Sequence, residues 1–143
     1  MRRPKKVSEL RLNVFRELVS HLCQRASMHV SPATFGSVVA YLDGFDRARN
    51  FRPLAGFRQW LFLRSGRTGD NWHWAGYAQL ILQTGGEQTE ESLITGLGLL
   101  LDEYLTYRRK NGLQKVLDDH ARYFEIMDAR YERRQERRRR RSN

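Results

Sequence analysis

Between Leu10 and Tyr131 the apolar side chains recur every three or four residues, and no stretch alternates with a period of two. The first spacing collects side chains on one face of an α-helix, whereas alternation is the mark of a strand buried on one face. The chain is therefore expected to be all-α, a single compact bundle of five or six helices. Its 143 residues hold one domain of ordinary size. With 40% apolar and 11% aromatic residues it has enough material for one packed core.

Start and stop signals divide this periodicity into segments. Ser8 is placed to cap a first helix over about 8–26, with Leu10, Val14, Phe15, Leu18, Val19, Leu22 and Cys23 on its apolar face. Ser31 before Pro32 reads as the start of a second, about 32–49, facing inward through Phe35, Val38, Val39, Leu42 and Phe45. A third pattern begins at Pro53 and stops at Ser65–Gly66. A fourth helix, about 73–83, carries Trp74, Tyr77, Ala78, Ile81 and Leu82. The fifth starts after Gln88 or Thr89 with two acids, Glu90 and Glu91, and ends with Arg108, Arg109 and Lys110 ahead of Asn111–Gly112. Within it, Gly96-x-Gly98 is read as room for a neighbouring helix; it lacks the context of a phosphate loop. The last helix is expected to face the body through Leu113, Leu117, Phe124, Met127 and Tyr131.

The net charge of +10 is not spread evenly. Residues 1–6, a basic N-terminal arm, contribute +4 through Arg2, Arg3, Lys5 and Lys6. Residues 130–143, an Arg-rich C-terminal tail, contribute +6. The helical domain between them, 7–129, balances 14 basic against 14 acidic side chains and is neutral. If the last helix runs on through the tail, Arg130, Arg134, Arg137 and Arg141 fall along one side and Glu125, Asp128, Glu132 and Glu136 along the other. The alternative is that self-repulsion in the run Arg137–Arg141 leaves it disordered.

The stretch "RTGDNWHWAGYAQ", residues 67–79, gathers Asp70, His73 and three aromatic residues around two glycines. With Ser65 a hydrolytic triad can be drawn, but order and spacing match no nucleophile elbow. One Asp near one His is too few ligands for a metal site. Trp72 and Trp74 are better read as anchors of a loop over the core, with Asp70 or Asn71 capping the next helix. Cys23 is the only cysteine, so there is no intrachain disulfide; on the apolar stripe of helix one it reads as core filler, and His120 as a packing histidine. Asp43 and Arg47 are spaced for an i,i+4 ion pair. No cofactor motif, membrane span or signal peptide is read, and a reducing, cytoplasmic location is expected.

Four stretches carry a resemblance: "RASMHVSPATFGSVVAYLDGFDRA" (25–48), "LAGFRQWLFLR" (54–64), "NWHWAGYAQLIL" (71–82) and "LLLDEYLTYR" (99–108). Together they resemble a group of small bacterial all-helical proteins, some associated with toxin–immunity loci, over about residues 25–108. The resemblance implies a helical fold in which Tyr41, Phe45, Phe57, Trp60 and Trp74 are fold determinants, and an immunity-like binding role. The Arg-rich end departs from that group's pattern.

Two functional expectations follow. The first is a non-catalytic protein-binding module whose neutral body contacts a protein partner through Asp43, Asp46, Asp70 and His73. The second is a nucleic-acid-associated protein that grips phosphates with its basic ends, notably Arg130, Arg134, Arg137, Arg138, Arg139, Arg140 and Arg141.

Overall fold

The computed structural model describes residues 3–66 and 71–143, with side chains described from Glu9 onward in the first of these segments. Among the described residues there are six α-helices and no strand. They are α1 (Arg3–Gln24), α2 (Phe35–Ala48), α3 (Phe57–Ser65), α4 (Trp74–Leu82), α5 (Glu90–Asn111) and α6 (Leu113–Ser142).

Helix α5 is the centre of the bundle, in contact with all five others. Leu93, Ile94, Leu97, Leu100, Leu101, Tyr104 and Leu105 are all buried, which spreads its apolar surface over more than a third of its circumference. Two glycines border that surface and set how closely its neighbours lie. A Cβ at Gly96 would stand 2.5 Å from Leu82 at the end of α4, and one at Gly98 would stand 2.9 Å from the Cβ of Cys23 on α1. The Gly96-x-Gly98 pair is thus a packing device, as its place in a leucine-rich helix implied.

The helix starts follow side chains that satisfy free backbone N–H groups. Thr89 accepts from the N–H of Ser92 at 3.1 Å while Ser92 accepts from the N–H of Thr89 at 3.0 Å, a reciprocal box at the head of α5. Glu90 reaches across to accept the N–H of Phe35 at 2.6 Å, so one carboxylate serves the start of α5 and ties down α2. Thr34 accepts from Ser37 N–H at 3.2 Å, which is why α2 begins at Phe35 and leaves Ser31 and Pro32 in the preceding turn. Helix α1 starts five residues earlier than Ser8, at Arg3; a proline in the first turn, here Pro4, gives up no intrahelical bond. Residues 3–6 of the basic segment are therefore part of α1. Helix α3 starts at Phe57 instead of Pro53, because the N–H groups of Ala55 and Phe57 close two turns on Arg52 and Leu54 first.

The faces differ from expectation in two places. Phe15, Val19, Leu22 and Cys23 face the core, whereas Leu10 and Val14 lie on another side of α1 and are 68% and 58% exposed. In α6 the inward line is Val116, His120, Tyr123 and Met127, while Phe124 and Tyr131 are exposed. Both helices are amphipathic over more than one arc, so spacing alone does not say which arc meets the body.

Candidate functional site

The tryptophan loop is held from three sides. Arg58 of α3 donates to the carbonyl of Trp72 at 2.6 Å and to the side chain of Asn71 at 2.7 Å. The N–H of Trp72 donates to the Tyr77 hydroxyl at 3.2 Å, and the two rings lie 5.5 Å apart. Trp74 is buried against Phe57, with its indole N–H on Asp43 Oδ1 at 2.8 Å. The expected role of these residues as anchors is what the contacts describe.

His73 sits at the head of α4 and caps it, in place of Asn71. Its Nδ1 accepts from Ala75 N–H at 3.1 Å, so the ring proton is on Nε2, which meets Asp43 Oδ2 at 2.8 Å. Both ring nitrogens are thereby engaged, and Ser65 Oγ donates to the carbonyl of Phe62 at 2.9 Å. Among the described residues the partners of His73 are Ala75 and Asp43 and not Ser65, and Asp70, the third member of the triad drawn from the sequence, lies outside them. Because the cap satisfies an otherwise free N–H, His73→Ala is expected to cost about 1 kcal/mol in chemical denaturation. A loss below roughly 0.3 kcal/mol would remove the cap from the account.

Of the four residues expected to form a contact surface, Asp43 and His73 do come together, but as partners of each other and of Trp74. Asp43 does not pair with Arg47. Asp70 lies outside the described residues. Asp46 is a correction: only 4% exposed, it accepts from Leu54 N–H at 2.8 Å and from Arg52 Nε at 2.9 Å, pinning the α2–α3 loop. Among the described residues Asp43 and Asp46 form no open acidic surface, because the N–H of Leu54, the indole N–H of Trp74, Arg52 and His73 occupy their carboxylates.

No protein family, curated protein or solved structure matches this chain. Among the described residues no helix is long and apolar enough to cross a membrane, and no three metal-ligating side chains converge. Cys23 is buried, and burial pushes its thiol up to about 11, well away from a reactive thiolate.

Helix α6 is the element on which charge accumulates. It is a continuous helix from Leu113 to Ser142. Val116, His120, Tyr123 and Met127 pack inward at spacings of four, three and four; Arg130, Arg134, Arg137 and Arg141 continue that line at the same spacing. Past Met127 the line has left the body: from Asp128 to Asn143 every residue except Gln135 is exposed. About 22 Å of helix extends beyond Met127 at 1.5 Å per residue. Among the described residues, Arg140 is the only one of the eight arginines between positions 130 and 141 with a carboxylate partner, Glu136 at 2.6 Å.

At the root of this helix, His120 lies 5.3 Å from Phe62 and 4.9 Å from Phe124, ring centre to ring centre. Partial burial, and then the nearby Arg58, lower its pKa. A histidine kept neutral by folding takes up its proton more readily when unfolded. Its contribution is thus intact above the unfolded value of about 6.5 and declines as pH falls through that value toward the folded one. The melting temperature should fall between about pH 7.5 and 5.5 by more in the wild type than in His120→Gln. Equal falls would show that His120 is not among the groups responsible.

Proposed function

We propose that this protein binds the phosphate backbone of nucleic acid through the arginine row of α6, with the helical bundle as the scaffold that holds the row out. The observation that carries this reading is the row Arg130, Arg134, Arg137 and Arg141, without a carboxylate partner among the described residues, on an exposed helix whose root is packed on the body. A guanidinium presents a planar fork that matches two phosphate oxygens, and it stays charged at any physiological pH. Mounted on one helix, several guanidinia share a single ordering cost instead of each losing freedom separately. The helix is about 10–12 Å across, the width of a B-form major groove, so it can lie along phosphates on both strands without reading bases. Arg2, Arg3, Lys5 and Lys6 hold the rest of the chain's surplus charge.

The test is a salt titration of the full chain against a fluorescein-labelled mixed-sequence duplex of roughly 20 base pairs, by anisotropy. A tail of net charge +6 that neutralises about six phosphates predicts a log–log slope near −5. A flat slope, or no binding at low salt, would reject the reading. A second reading, a non-catalytic protein-binding module of the immunity-like kind, is favoured by a different feature: an apolar groove beside α1, flanked by arginines.

A further inference from the structure

We propose that the groove between α1 and the C-terminal end of α2 is a docking site for an acidic amphipathic helix of a protein partner. The inference rests on the reading of the body as a binding module and is independent of α6.

The groove encloses about 500 Å³. On its α1 wall Leu10 and Val14 stand one helical turn apart and point away from the core, a ridge of the kind that a partner helix packs against. On the other side are Phe45 and Phe51, each covered by a guanidinium: Arg49 lies 4.7 Å from the ring centre of Phe45, and Arg11 lies 5.8 Å from that of Phe51. Among the described residues no acidic side chain lines the groove. Among the described residues neither Arg11 nor Arg49 has a carboxylate partner, so both charges are available. Resting on a ring also limits the freedom each guanidinium has to lose when it takes one up.

These features select among occupants. Nucleic acid gains nothing from Leu10 and Val14, and the faces of the two Phe rings on which bases would stack are already taken by guanidinia. A second copy meeting the first through this same groove brings two more arginines and none of the carboxylates they would need among its described lining residues. The arginine end of the chain itself has the wrong sign. What remains is an apolar stripe with carboxylates beside it: Leu, Val or Phe side chains over Leu10 and Val14, and Glu or Asp reaching Arg11 and Arg49.

The experiment is selection, against the full-length protein, from a displayed library of amphipathic helices. Leu is fixed along one face and Glu, Gln or Lys is allowed at the flanking positions. Glu is expected to be enriched there. Synthetic peptides of the winners should bind about tenfold or more weakly to the double variant Leu10→Asp, Val14→Asp. Both sites are exposed, so this variant keeps its fold. Arg11→Glu with Arg49→Glu should turn the preference from Glu to Lys. Replacing Arg134, Arg137, Arg138 and Arg141 by Ser should leave binding within about twofold, which keeps this result separate from that of the phosphate reading. The proposal is overturned if no helix is selected, if Glu is not enriched, if the Leu10/Val14 variant still binds, or if binding disappears with the α6 arginines. Light scattering that finds a dimer broken by Val14→Asp would give the groove to a second copy and overturn it equally.

Discussion

Replacing Arg134, Arg137, Arg138 and Arg141 by serine is expected to lower the affinity for duplex DNA at low salt by about a hundredfold or more and to flatten its salt dependence. Each phosphate neutralised contributes roughly −0.9 to the log–log slope. Six contacts therefore cost the wild type about three orders of magnitude in affinity between roughly 50 and 200 mM salt; two remaining contacts would cost the variant only about tenfold over the same range. The slope is the decisive readout because it counts released counterions, which a change in folding or peptide contacts would not imitate. The same four positions changed to lysine keep the charge but lose the bidentate fork, so the slope should survive while the affinity falls by less than in the serine variant. Since all four side chains are exposed, the body should melt as the wild type does. If the serine variant binds DNA with an undiminished slope, the phosphate contacts are elsewhere and the role proposed for α6 is wrong.

The element types were largely legible, because amphipathic spacing and caps are local. Thr89 with Glu90 and Glu91, and Asn111 ahead of Gly112, place both ends of α5 to within a residue of the structure. What was not legible is which side of a helix meets the body. Leu10 and Val14 share their spacing with Phe15 and Val19, and only the direction from which α5 approaches makes one pair core and the other a groove wall. Asp46 shows the same limit for polar residues. An aspartate in the last turn of a helix reads as solvated, yet here the loop that follows folds back and offers it the N–H of Leu54. His73 was missed as a cap because Ser, Thr, Asp and Asn are the usual cap residues; its position immediately before the first apolar residue of α4 was the available signal. Arg58, which holds the loop through Asn71 and Trp72, left no trace in local pattern at all, being 13 and 14 residues away in sequence.

Gly56→Ala is expected to be the most destabilising small substitution in the scaffold, by about 3–4 kcal/mol. Gly56 precedes α3 with φ of 82°, where a side chain itself costs about 1–2 kcal/mol. The space is also occupied. A Cβ there would stand 2.6 Å from Cδ1 of Leu113, the first residue of α6, and 2.7 Å from the Tyr104 hydroxyl of α5. That hydroxyl donates to the carbonyl of Ala55, and burial pushes its pKa up to about 12, so it stays a donor and has a reason to remain where it is. Overpacking of this kind adds about 1–3 kcal/mol. Against a total stability of roughly 5–15 kcal/mol, the melting temperature should drop by around 10 °C. Gly44→Ala is the contrast: in mid-α2 with nothing within 4 Å of an added Cβ, it should stabilise by about 0.5–1 kcal/mol. Tyr104→Phe removes one of the two clashing atoms, so in the double variant the cost of Gly56→Ala should shrink by about 1 kcal/mol without vanishing, because Leu113 is still there. Such coupling would show that the α3 cap, α5 and the root of α6 meet at one close-packed point, which is where the arginine helix is fixed to the body. Additive costs at Gly56 and Tyr104 would instead take the Tyr104 hydroxyl out of the clash and leave the penalty to the backbone of Gly56 and its contact with Leu113.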